Sequence, residues 1–322
     1  MLGLVAMLAA CKKNNPAPTS SSIDLVKDSV YLYAQEDYYW YDALPATDVF
    51  NPRGFSGSTD LISLQNEVNA LSQYKINPVT GKPYEYNTSS PGTAKYSFID
   101  GGQVSTILGG TQGDYGCGIL YNTNTDLRIK YVYAGSPAAV AGIKRGYQVI
   151  KMNGSTSLTY DGATGPDVTF INNAFFNTSA ITMTLQRPNG TTFDVSLKAS
   201  NYTTNPVIKD TIINLGSGKK VGYMVFNQFT TLLNSQTFID AAFAYFSSNN
   251  ITDLVIDLRY NGGGAVETAE YIDNLVVPSA KAGSVMYTSY YNTKLQNDQY
   301  PLLNRVYQIN KGDFSVAKNH AG

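Results

Sequence analysis

The stretch from Lys219 to Val276 constrains the fold more than any other part of the chain. Val221 to Phe226 is an apolar run of strand length. Ser235 to Phe246 places Phe238, Ala242 and Tyr245 on one side of a helix, and Leu254 to Leu258 is a second apolar run. Two such runs joined through a helix predict a right-handed crossover between parallel, buried strands. The second run passes directly into Asn261-Gly262-Gly263-Gly264, and Ala265 to Val276 reads as a helix, so a glycine-rich turn lies between a strand end and a helix N-terminus. Such a turn can offer backbone N–H groups to an anion. It fits neither Gly-x-Gly-x-x-Gly nor the P-loop with its Lys-Ser/Thr, which argues against a nucleotide phosphate.

The residues before it follow other periods. Ile23 to Leu44 lacks Pro and Gly, and Ser58 to Tyr74 carries Leu61, Leu64, Val68 and Leu71 on one face with Ser58 or Thr59 as the cap, so both are predicted helices. The aromatic residues around Trp40 are read as the core of this small helical region. Pro78 to Gly92 is a loop. Alternation then takes over at Leu127, Ile129 and Tyr131, at Ile181, Met183 and Leu185, and at Phe193, Val195 and Leu197. The last two runs flank Arg187-Pro188-Asn189-Gly190-Thr191, whose Asn-Gly step predicts a tight hairpin, and Val168 to Phe176 predicts one more helix.

A chain of 322 residues has room for two or three domains. Its 23 basic and 24 acidic residues give a net charge of -1 with no basic face, which excludes nucleic acid as the expected partner. The single histidine, His320, stands almost at the last residue, so neither a Ser-His-Asp triad nor a His-based metal site is on offer. No metal and no organic cofactor is expected.

Residues Leu2 to Ala9 are apolar but far too short to cross a bilayer, and they lead into Leu8-Ala9-Ala10-Cys11. This resembles a bacterial lipobox, although no Lys or Arg precedes the apolar run. The resemblance implies that Cys11 is acylated and becomes the first residue of the mature protein. A disulfide between Cys11 and Cys117 is therefore not expected. Residues 12–22, rich in Lys, Asn, Pro and Ser, then read as a flexible tether. The implied location is the bacterial cell envelope, lipid-anchored on the periplasmic side or at the outer membrane.

Two segments carry chemistry. Tyr115-Gly116-Cys117-Gly118-Ile119, followed by Ala134 to Gly146 with Gly135-Ser136-Pro137 and then Val149 to Gly154, resembles a PDZ domain of the kind embedded in bacterial proteases. Tyr147 stands where that pattern often has Asp. The resemblance implies that loop amides from Tyr115 to Gly118 hold a peptide's terminal carboxylate, and that the strand opened by Ile119 accepts the peptide as an added strand. Glycines suit such a loop because amides converging on one carboxylate need backbone angles that a Cβ obstructs. Cys117 reads as a small loop residue rather than a reactive thiol.

The second segment, Asp257-Leu258-Arg259-Tyr260-Asn261-Gly262-Gly263-Gly264, resembles the Asp-Leu-Arg-x-Asn-x-Gly-Gly element of the C-terminal processing (tail-specific) serine peptidases. The resemblance implies a multidomain α+β chain: residues 1–22 signal and tether, 23–103 a helical N-terminal domain, 104–202 a PDZ domain that is barrel-like with two helices, and 203–322 an incomplete crotonase-like or ClpP-like α/β core. It implies a serine nucleophile activated by a lysine, with one oxyanion-hole N–H supplied by Gly263, or next by Gly264. Asp257, Arg259 and Asn261 are read as holding the turn through side-chain hydrogen bonds.

The family's Ser-Ala-Ser-Glu-like nucleophile segment is not found between residues 265 and 322, and Ser315-Val316-Ala317-Lys318 lacks its pattern. Two readings therefore stand. One is an anchored serine endopeptidase whose nucleophile lies beyond this stretch, taking peptide or protein C-termini as substrate. The other is a non-catalytic surface lipoprotein that binds peptides through the same groove.

Overall fold

The computed structural model describes residues 22–102, 104, 108–306 and 316–318. They form two compact units, one from the residues up to Gly101 together with Val285–Lys318, the other from Gly102–Ser284.

The first unit contains helices α1 (Ser22–Asp37), α2 (Thr47–Phe50) and α3 (Asp60–Leu71). Tyr31 of α1 is fully buried and stacks on Phe50 of α2 at 5.1 Å between ring centroids, and Leu71 of α3 joins them. Thr59 caps α3, its Oγ1 accepting the Ile62 N–H at 3.2 Å. The first helix ends at Asp37 and does not run on to Leu44. The chain instead passes through a 3-10 turn at Tyr41–Ala43, which lets Trp40 stack on Tyr84 at 5.0 Å while Leu44 still packs against the Tyr31 cluster.

Chain order groups Val285–Lys318 with the residues before it, but in space this segment packs on the helical unit. The carboxylate of Glu36 accepts the N–H groups of Leu302 at 3.0 Å and Leu303 at 2.9 Å, at the start of the helix Pro301–Val306, where orphan donors and the helix dipole favour an anion. Asn292 donates from Nδ2 to the carbonyls of Glu36 and Tyr38 at 2.8 and 3.0 Å. The strand Val285–Thr288 pairs antiparallel with Val316–Lys318.

The second unit holds two sheets of more than two strands. Strands β2 (Cys117–Thr123), β3 (Asp126–Val132), β4 (Gln148–Met152), β5 (Ala180–Gln186) and β6 (Thr192–Lys198) form an antiparallel sheet in that order. The short helix α4 (Pro137–Val140) and helix α5 (Pro166–Phe176) accompany it, and Ile171, Ala174 and Phe175 of α5 bury against Leu127, Ile129, Met183 and Leu185. The hairpin between β5 and β6 closes as its Asn-Gly step predicts: Gly190 takes φ +84°, and Arg187 N–H donates to the Thr191 carbonyl at 2.9 Å. Two flanking strands, β1 (Thr111–Asp114) and β7 (Ser200–Thr203), pair antiparallel with each other.

The other sheet has the order β10-β9-β8, from β8 (Val207–Asn214), β9 (Lys220–Phe226) and β10 (Asp253–Asp257). β9 and β10 run parallel, joined by α6 (Leu232–Ser248), and α7 (Val266–Val276) follows the glycine-rich turn. Met224, Phe226, Ile239, Ala242, Phe246 and Ile272 form its core. The parallel pairing of β9 and β10 through a helix is as the periodicity predicts, with one difference. Among the described residues β10 is at the edge of its sheet, and Val255 is 46% exposed although its apolar run reads as fully buried.

One buried group makes the first unit sensitive to pH. Glu67 on α3 is inaccessible to solvent, and neither carboxyl oxygen has a hydrogen-bond partner among the described residues. Burial pushes its carboxyl up to about 8, against the pull of the Lys27 ammonium. The native state thus keeps a proton that the unfolded chain releases near the ordinary value of 4.5. Stability should fall as pH rises from that value to about 8 and then level off. Thermal melts should show wild type and Glu67→Gln alike at pH ~4.5, with the Gln variant ahead by about 2 to 4 kcal/mol above pH ~8. Parallel curves across that range would contradict the assignment.

Candidate functional site

The glycine-rich turn is built from two side-chain networks and one backbone clamp. Asp257, at the end of β10, accepts from Arg259 through both oxygens, Nε to Oδ1 at 2.9 Å and Nη2 to Oδ2 at 2.6 Å, and also from the Tyr223 hydroxyl and the Arg259 N–H. The Arg259 hydrogen bonds hold its carboxyl well below the usual carboxylate range. Asn261 bridges the turn to β9: its Nδ2 donates to the Phe226 carbonyl at 3.1 Å, and its Oδ1 accepts the Gly263 N–H at 2.7 Å. Phe229 supplies the clamp, its N–H donating to Gly263 O at 3.0 Å and its carbonyl accepting from Ala265 N–H at 2.8 Å.

This arrangement separates the two candidate oxyanion donors. The Gly263 amide, expected to face a substrate, is engaged by Asn261. The Gly264 amide donates to no group among the described residues, one position before the N-cap of α7. Gly264 also has no room for a side chain, because at φ +137° a Cβ would stand 1.9 Å from the Phe229 carbonyl oxygen. At Gly263 a Cβ would meet nothing within 4 Å. A donor amide beside a helix start, with no Cβ to obstruct approach, can stabilise oxygen that gains negative charge in an acyl transfer.

The second predicted segment lies at the edge of the antiparallel sheet. Among the described residues β2 pairs with β3 alone, so the N–H and C=O groups on its other side offer an edge for an added strand. A groove of about 380 Å³ runs beside it, lined by Cys117, Gly118 and Ile119 and faced by Phe175, Phe176 and Thr178. Tyr115 is buried and anchors the loop, its hydroxyl donating to the Thr178 carbonyl at 2.7 Å. Gly116 takes φ +74°, and a Cβ there would collide with Ser136 Cβ at 1.9 Å. The Gly116 N–H donates to Asp114 Oδ1 at 2.7 Å, so that member of the expected carboxylate cradle is engaged within the chain. Cys117 is buried, and burial together with Asp114 pushes its thiol up to about 12, which leaves no thiolate at neutral pH.

Sequence reasoning missed the polar side chains that join the two sheets. Tyr202 donates to Asp114 Oδ1 at 2.7 Å, Gln112 and Tyr133 donate to Gln228 Oε1 at 3.0 and 3.1 Å, and Asn227 donates to the Tyr133 hydroxyl at 2.7 Å. No motif marks these residues. Their only local signal is position, with Asp114 directly before the loop and Asn227 and Gln228 directly before Phe229. Cys11, Ser315 and His320 lie outside the described residues.

Residues 220–318 match the family model of peptidase family S41. Among solved structures, one described as an S41 protease of Bacteroides fragilis aligns at 22% identity and TM-score 0.47, covering 85% of this chain and 64% of its own. The photosystem II D1 C-terminal processing protease aligns at 15% identity and TM-score 0.38, covering 82% of this chain and 66% of its own. A PDZ domain of the carboxy-terminal protease from Vibrio cholerae, solved with a peptide, aligns at 12% identity and TM-score 0.22, covering 29% of this chain and 97% of its own. The relationship rests on the family match, since all three TM-scores are low. No curated protein matches the chain by sequence. The chain spans less than two thirds of the Bacteroides fragilis protein.

The clamp gives a direct mutational test. Gly264→Ala must displace the Phe229 carbonyl as well as strain the backbone, and should destabilise the second unit by about 3 kcal/mol or more. Gly263→Ala carries the backbone strain alone and should cost about 1 to 2 kcal/mol. Denaturant melts with equal losses, or the larger loss at Gly263, would contradict the clamp.

Proposed function

We propose that this chain, whose residues 220–318 match the model of peptidase family S41, belongs to a serine endopeptidase of that family and of the C-terminal processing type. The observation that carries this reading is the turn Asn261–Gly264 inside the matched segment, which ends on an undirected amide at Gly264 beside the start of α7. Gly264 is the proposed oxyanion donor. Gly263 takes that part only if Asn261 releases its amide. The nucleophilic serine and its lysine base are not assigned to residues of this chain.

The antiparallel sheet is proposed as a PDZ domain that captures peptide C-termini. The edge of β2 and the groove beside Phe175 support strand addition, with the outward-pointing N–H groups of β2 meeting the incoming chain. Acylation of Cys11 is proposed to tether the protein to the bacterial envelope. The chemistry needs no cofactor in this reading, since the charge that develops on the substrate is met by backbone N–H groups.

The capture step can be measured without turnover. A peptide with a free, apolar C-terminus should bind the chain, and amidating that terminus should weaken binding by at least ~1 kcal/mol, about fivefold. Equal affinity for acid and amide, read by fluorescence anisotropy, would contradict carboxylate capture.

A further inference from the structure

Within the second unit a cleft of about 740 Å³ runs between the antiparallel sheet and the β8–β10 sheet. Tyr131 lines both this cleft and the groove beside β2. The cleft is also lined by Arg259 and Tyr260, and Tyr260 directly precedes Asn261 of the glycine-rich turn. The cleft therefore shares Tyr131 with the peptide groove and includes residues adjacent to the turn.

Its charge is unlike that of the chain as a whole. Four cationic side chains face it, Lys144, Arg145, Lys209 and Arg259, with two carboxylates, Asp210 and Asp257. Arg259 and Asp257 neutralise each other in a bidentate pair at 2.6 to 3.1 Å. Arg145 donates to the Tyr260 hydroxyl at 3.2 Å and to the Lys130 carbonyl at 3.1 Å, and it lies 5.5 Å from the Tyr260 ring, so no carboxylate cancels its charge. The Lys130 ammonium lies 5.1 Å from the same ring centroid. Lys144 and Lys209 are exposed and form no ion pair with a described residue. Asp210 alone opposes Lys144, Arg145 and Lys209, in a chain whose net charge is -1. A concave surface with an excess of one charge concentrates field lines and favours ligands of opposite charge.

We infer that this cleft selects substrates with acidic side chains just upstream of the captured C-terminus. The inference rests on the reading of the β2 groove as a peptide-capture site. A chain whose end lies along β2 passes Tyr131 on its way to the turn, and there it meets Lys144, Arg145 and Lys209. Glu or Asp side chains at that stretch are drawn in, and Lys or Arg side chains are repelled.

The test uses three peptides with one apolar free C-terminus and an upstream segment rich in Glu, Ser or Lys. Anisotropy titrations of the full chain should give the order Glu, Ser, Lys, with at least ~10-fold between the extremes at low salt and a gap that closes as salt rises. Lys144→Glu/Lys209→Glu should abolish or invert the order. Neither lysine's ammonium forms an ion pair with a described residue, so the fold should tolerate the change. Lys198→Glu, on β6 and outside the cleft, should leave the order intact. Three equal affinities would overturn the inference while leaving peptide capture standing. So would an order that survives in the double variant. Failure of all three peptides to bind would overturn both.

Discussion

Phe229 holds the glycine-rich turn through its own backbone, giving its N–H to Gly263 and taking the N–H of Ala265. This short parallel bridge fixes the approach to α7, and Asn261 adds a second tie by joining β9 to the Gly263 amide. Between these two engaged amides, the Gly264 amide donates to no group among the described residues. Gly264 is exposed, and a donor set beside a helix start is suited to a developing negative charge.

The same anchor ties the turn to the antiparallel sheet. Asn227 and Gln228, immediately before Phe229, bond to Tyr133 and Gln112, and Tyr202 links that network to Asp114. Asp114 in turn holds the Gly116 amide at the mouth of the peptide groove. Hydrogen bonds of this kind strengthen away from water, and an orphaned member is costly, so the network favours one relative placement of the two sheets. Groove, cleft and turn then belong to one unit.

The legible parts of the fold were those set by local pattern. The β9–α6–β10 crossover follows from two apolar runs around a helical one, and the β5–β6 hairpin follows from Asn189-Gly190. The glycine segments at 115–118 and 261–264 were visible because glycine marks turns, and at Gly116 and Gly264 a Cβ would strike Ser136 and the Phe229 carbonyl. Long-range choices were not legible. Nothing near Asn261 shows that its side chain takes the Gly263 amide, because that geometry depends on where Phe226 lies across the sheet. Likewise the return of 285–318 to the helical unit depends on Glu36, far away in sequence, meeting the N–H groups of Leu302 and Leu303. The cleft charge was hidden because Lys144 and Lys209 belong to different elements and converge only in the folded unit.

Amide hydrogen exchange with and without a saturating peptide that has a free apolar C-terminus tests the central claim most directly. Capture by strand addition satisfies the outward N–H groups of β2. Exchange should therefore slow within Cys117–Thr123 and remain unchanged in α1, α2 and α3. Slowing confined to those three helices, or none at β2 with the peptide bound, would contradict the account.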